Sequence, residues 1–179
     1  MYSQISAIHK IVVHDSMKPW TTNKNYREWK QDVKHHQTKK VKRSSKDMCR
    51  KGSFCKGAKN IPRKLMPQIY DVNAFSKKIK RKYNVRTRRL TMKAKVLKPS
   101  QNEINEERVD DVIEEIGPKK KIKHPVVVSK DKYVVDGHHR WAAMKKAAPE
   151  KRIPVVMINA PISDALGVAV AAGTKREKF

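Results

Sequence analysis

Over its first 98 residues this chain carries 28 lysines and arginines against 5 acidic residues; from Pro99 onward the counts are 15 and 12. A break of that size divides the chain into regions with different tasks. The second region is near charge balance and can collapse into a domain, whereas the first repels itself until a polyanion neutralises it. Nucleic acid is the expected polyanion, because each lysine or arginine that meets a phosphate releases condensed counterions. An anionic membrane surface is the alternative, but the basic half shows no helical pattern with a sustained apolar face. No apolar run approaches the ~20 residues needed to span a bilayer. Residues 1–13 lack the apolar core and cleavage site of a secretory signal. A soluble, intracellular protein is therefore expected, and Cys49 and Cys55 suggest a reducing compartment and not a disulfide framework.

The 179 residues suit one ordinary domain plus extra sequence. Residues 1–60 read as a basic arm, disordered or ordered on nucleic acid. Ile5, Ile8, Ile11, Val12 and Val13 can form a strand or short helix there. The stretch from Lys39 to Lys59 offers little to bury and cannot offset its own ordering entropy. Residues 61–90 form a basic connector, with a short helix expected between Arg63 and Ser76 and a helix face or loop over Lys77–Arg89. A domain is expected over residues 91–173, followed by a tail at 174–179. Alternation predicts a strand over Met92–Leu97. Asn105 can cap a helix whose apolar face is Val109, Val112, Ile113 and Ile116, and Gly117-Pro118 stops it. Two β-branched runs, Pro125–Ser129 and Lys132–Val135, flank Lys130-Asp131 and read as a hairpin. A helix over 138–148, a buried strand over 153–158 and a final helix over 161–172 with Ser163 as its cap complete a β-α-β-β-α-β-α order. The fold class is a small mixed-sheet α/β domain behind a basic arm.

Chemistry concentrates where the second hairpin strand passes into a helix, at Asp136-Gly137-His138-His139-Arg140. A helix start offers unbonded backbone N–H groups and about half a positive charge. Gly137 lets a ligand approach the backbone, and Arg140 brings a fork of donors suited to phosphate oxygens. The same residues also suit an ordinary turn, with His138 on the surface and Arg140 paired with Glu114 or Glu115.

Residues 92–165 resemble the ParB/sulfiredoxin superfamily, in which an apolar hairpin leads into a Gly-x-x-Arg turn that contacts nucleotide phosphates. ParB-type proteins carry Gly-Glu-Arg-Arg there and sulfiredoxins Gly-Cys-His-Arg. Gly137-His138-His139-Arg140 is most similar to the Asp-Gly-His-His-Arg of ParB-related free serine kinases and of phage ParB-like nucleases. Lys98-Pro99-Ser100-Gln101-Asn102-Glu103-Ile104 and Met66-Pro67-Gln68-Ile69 also resemble those phage proteins. His138 stands where sulfiredoxins have their cysteine, so sulfinic-acid reduction is not implied. His139 replaces the first ParB arginine and no helix-turn-helix follows, so a plasmid-partition clamp is not expected.

The resemblance implies phosphate binding by Gly137, His138 and Arg140, and a nucleoside triphosphate with Mg2+ as cofactor. In an enzyme, a nuclease or nucleotide-dependent phosphotransferase, His138 or His139 would assist proton transfer. Glu103 would be a base or a metal-facing group, and Asp136 would hold Mg2+ or orient a histidine. Each carboxylate also reads as a solvated or turn residue. Lys39, Lys40, Lys42, Arg43, Lys80, Arg81, Arg86, Arg88 and Arg89 are the expected nucleic-acid contacts. The run Lys39–Lys46 serves equally as a localisation signal. Trp20, Tyr26 and Trp29 can stack on unpaired bases or form a small apolar cluster. His35, His36, Cys49 and Cys55 have the wrong spacing for an ordinary zinc site. The readings outside enzymology are a DNA-binding module without turnover and a virion structural protein whose arm neutralises the genome. A small-metabolite kinase leaves the basic arm without a task.

Overall fold

The computed structural model describes residues 18–37, 44–50 and 52–176, with the side chains of Lys175 and Arg176 left aside. Along the chain run α1 (Lys24–Gln37), β1 (Pro67–Gln68), α2 (Val72–Tyr83), β2 (Thr87–Lys93), β3 (Lys98–Pro99) and α3 (Glu106–Ile116). They are followed by β4 (Val126–Ser129), β5 (Tyr133–Asp136), α4 (His138–Ala147), β6 (Arg152–Ile158), α5 (Ile162–Ala171) and β7 (Lys175–Arg176). Five strands form one mixed sheet in the order β2-β6-β4-β5-β3, and β1 pairs separately with β7. The chain is thus a mixed α/β protein, as its patterning implied.

The β-branched runs of β4 and β5 are buried along their whole length because helices cover both sheet faces. Val126, Val128, Val134 and Val155 pack with Trp141 beneath α3 and α4. Val127, Val135 and Ile158 pack on the opposite side with α1, α2 and α5. The hairpin, the α3 helix with Asn105 accepting from the Arg108 N–H at 3.0 Å, and the strand at 152–158 all lie where the sequence places them. The hairpin turn works without glycine because Lys132 takes a positive φ of 67°.

Other expectations shift. The strand expected over Met92–Leu97 is displaced to Thr87–Lys93, and Ala94–Val96 forms a 3-10 turn. The cause is Trp141, whose buried indole donates to the Ala94 carbonyl at 2.9 Å and holds the backbone in that bend. The helix expected before Ser76 starts only at Val72. Asp71 caps it by accepting from the Asn73 and Ala74 amides, and it runs on through the basic residues to Tyr83. Ser163 is not a cap: Pro161 holds that position, without a side-chain bond.

The expected boundary at residue 60 is not where packing changes. Trp20 and Trp29 belong to the same apolar cluster as α5, and the Trp29 indole donates to the Leu65 carbonyl at 2.8 Å. This is the cluster reading of the aromatics, with their rings turned inward. Gly167 makes it possible: a Cβ there would lie 2.8 Å from Tyr26 and 2.9 Å from Trp20. Within the stretch expected to be disordered, Asp47 is buried and accepts from the Ile104 and Cys49 amides at 3.0 and 2.9 Å. The Glu106 amide returns a bond to the Lys46 carbonyl at 2.8 Å. The cysteines are also corrected. Cys49 and Cys55 form a disulfide with Cα atoms 5.0 Å apart, because Gly52 turns the loop and Phe54 anchors it against Trp141. That pairing removes both sulfurs from any zinc site.

Candidate functional site

β5 ends at Asp136, and Gly137 takes a φ of 90°, a value that favours glycine. The chain thereby turns directly into α4, whose first helical bond runs from the Trp141 N–H to the Gly137 carbonyl. Gly137 has no side chain to accept from the amides that open the helix. The strand–glycine–helix geometry expected from the motif is present.

A cleft of about 290 Å³ opens at this helix start. Arg140 lines it from the first turn of α4, Arg108 from α3, Arg63 from the 3-10 turn before β1, and Lys123 from the loop before β4. Glu115 is the carboxylate that α3 contributes. The electrostatics of this ring are recorded by His139. Burial, and then the charges of Arg63, Arg108 and Arg140, push its pKa down to about 4. Burial is the larger cause; the three positive charges add to it, and charges of that sign favour an anion over a proton beside them. The His139 Nε2 atom is buried without a hydrogen-bond partner, and so is the Arg140 Nε. Both are buried polar atoms that the protein itself leaves unsatisfied.

Arg140 is held in position by its neighbours. Its Nη2 donates to the Pro125 carbonyl at 3.3 Å and lies 3.5 Å from the Asp136 carboxylate. The guanidinium rests on Gly137, where an added Cβ would meet Nη2 at 2.7 Å. Arg140 therefore pairs with Asp136, and neither Glu114 nor Glu115 is its partner. Burial raises the Asp136 pKa; the Arg140 charge and the Gly137 and Ile69 amides work against that rise. Asp136 orients an arginine here, where the sequence suggested Mg2+ or a histidine.

His138 has a different task from the one expected. Its Nε2 accepts from the Ser100 and Gln101 amides at 3.2 and 3.4 Å, tying the loop after β3 to the start of α4. Burial pushes its pKa down to about 3, so it stays neutral. It is a positioning residue. Glu103 does not line the cleft, although its neighbour Gln101 does. No group of three metal-ligating side chains occurs among the described residues.

Sequence reasoning missed Arg63, Arg108, Lys123 and Glu115 as parts of one site, because they come from three separated segments that only the fold brings together. Of the expected nucleic-acid contacts, Lys80 and Arg81 are exposed on α2, and Arg86, Arg88 and Arg89 are exposed on or beside the edge strand β2. Lys39, Lys40, Lys42 and Arg43 lie outside the described residues, as do Ile5, Ile8, Ile11, Val12 and Val13. No helix among the described residues is long and apolar enough to cross a membrane. No protein-family model, curated protein or solved structure matches this chain.

Proposed function

We propose that this chain is a nucleic-acid-associated protein whose cleft binds the phosphates of a nucleotide or of a nucleic-acid strand. The observation that carries the reading is the cationic ring of Arg63, Arg108, Lys123 and Arg140 at an uncapped helix start, with polar atoms of His139 and Arg140 left to be satisfied. Arginine forks match phosphate oxygens in pairs, and the opening amides of α4 add fixed donors that need no rearrangement. The resemblance of the Gly137–Arg140 turn to ParB-type phosphate-binding turns supports the same assignment. A nucleoside triphosphate would carry its Mg2+ on its own phosphates, which suits a cleft whose protein groups are mainly cationic.

Docking without turnover is favoured over hydrolysis. His138 lines the cleft but its Nε2 is committed to backbone amides, and Glu103 does not line the cleft, so two of the four residues expected to do chemistry are poorly placed to act on a substrate. A phosphotransferase or nuclease version depends on His139. Its imidazole is a poor base because it is buried and because three arginines repel its proton; a bound phosphate that neutralises the arginines would raise its basicity.

The test is a thermal-shift series on the full chain with inorganic pyrophosphate and nucleoside triphosphates, with and without Mg2+. A ligand that binds only the folded form raises the melting temperature. Arg140→Ala and Arg108→Ala should each remove most of the rise. An unchanged melting temperature with every phosphate ligand would end the proposal.

A further inference from the structure

We infer that the ligand of this cleft is a single-stranded nucleic acid, one phosphate of which sits among the arginines while a neighbouring base stacks on Tyr70. The inference rests on the phosphate-binding reading and adds its substrate class.

The cleft is the first of two joined chambers. A second, of about 630 Å³, shares Gln68, His124, Asp136 and Arg140 with the first and adds Tyr70, Asn73, Arg89 and Pro125. Its lining changes character. The first chamber is ringed by arginines, whereas the second offers an aromatic ring, amides, and the guanidiniums of Arg89 and Arg140 beside the carboxylates of Asp71 and Asp136. Tyr70 is 79% exposed, beside a groove in a protein that buries Trp20, Trp29 and Trp141. An aromatic left in water beside a phosphate site gains contact area when an unpaired base covers it. Bases in a duplex already stack on one another, so a double helix would leave Tyr70 unused.

Strand register continues the track beyond Tyr70. In the antiparallel pairing of β2 with β6, Arg89 lies opposite Val156 and Lys93 opposite Arg152. Side chains alternate along a strand and directly opposed residues share a face, so Arg89, Thr91, Lys93 and Arg152 all lie on one side. That side is the second chamber's, because Arg89 lines it and donates to the Asn73 side-chain oxygen at 2.5 Å. Arg152 donates through Nε to Thr91 Oγ1 at 2.9 Å, which fixes it along the same edge. Phosphate donors thus stand at Arg140, Arg89 and Arg152 in succession, with the ring of Tyr70 beside the first two. A mononucleotide would fill only the chambers; a strand would use the ribbon as well.

The experiment measures anisotropy of a short 5′-phosphorylated single-stranded oligonucleotide, and of its duplex, with the full chain over a range of salt. Tyr70→Ala should weaken single-strand binding about tenfold with the salt slope unchanged, since stacking releases no counterions. Tyr70→Phe should restore it. Arg89→Ala should reduce the slope by roughly 0.7, one phosphate contact on a single strand. Duplex binding should respond to neither tyrosine substitution. If Tyr70→Ala and Arg89→Ala bind the single strand as the unaltered chain does, or if the duplex loses as much, the inference is overturned. Pyrophosphate stabilisation measured on the same proteins separates the two readings. If it persists and depends on Arg140, the phosphate site stands and only the single-strand assignment falls.

Discussion

At the scale of single residues, the site depends on a glycine that tolerates no side chain and a histidine held neutral near pH 7. Gly137→Ala would force a side chain into a φ of 90° and displace the Arg140 guanidinium lying 2.7 Å from the new Cβ. We expect a loss of about 1–3 kcal/mol in urea unfolding, together with loss of pyrophosphate binding. His138 has a folded-state pKa of about 3 against an ordinary value of 6.5. The unfolded chain therefore takes up this proton first. The stabilising contribution is complete above about pH 6.5 and disappears as the pH falls toward 3. His139, at about 4, acts in the same direction. Urea midpoints should fall from pH 7.5 to pH 5, and His138→Gln, which keeps an acceptor but does not titrate, should fall less steeply. Imidazole NMR offers a separate check on the cleft: added pyrophosphate should move the His139 titration upward, and that of His138 less, because burial is the larger cause there and Arg140 is the one arginine that acts on it.

At the scale of elements, the clip and the α1–α5 contact carry the next predictions. Cys49 and Cys55 close a short loop whose Phe54 packs on Trp141. Reduction, or Cys49→Ser with Cys55→Ser, should cost about 2 kcal/mol by loop-closure entropy, read as a lowered urea midpoint. Gly167→Ala should push α1 off α5 through Tyr26 and Trp20, and Trp29→Ala should cost about 3–5 kcal/mol. What the sequence disclosed divides along the same line. The hairpin, α3, α4, β6 and the glycine turn were legible because their signals are local: β-branched runs, an Asn105 cap, Gly137 after a strand. The role of His138 was not, since its partners are amides of Ser100 and Gln101, remote in sequence. Trp20 and Trp29 stood among lysines, and nothing nearby in the chain shows that α5 receives them. The strand at Thr87–Lys93 was obscured by its own charges, which are what an edge strand uses to discourage pairing with another chain.

At the scale of the whole molecule, the formal net charge of +26 sets the terms on which any polyanion is met. Binding to nucleic acid of any sequence should fall steeply with added salt, and the specific contribution of the cleft is what remains when Arg140→Ala is subtracted at high salt. A last consequence follows from the small β1–β7 ladder, in which Pro67 faces Arg176 and Gln68 faces Lys175. Gln68 lines both chambers of the groove. The lip of the groove is therefore buttoned down by backbone contributed from beyond α5. Trimming the protein after Gly173 should loosen that lip, so ligand leaves faster while the five-stranded sheet melts at nearly its usual temperature. A bulky fusion joined there would tug on the same fastening.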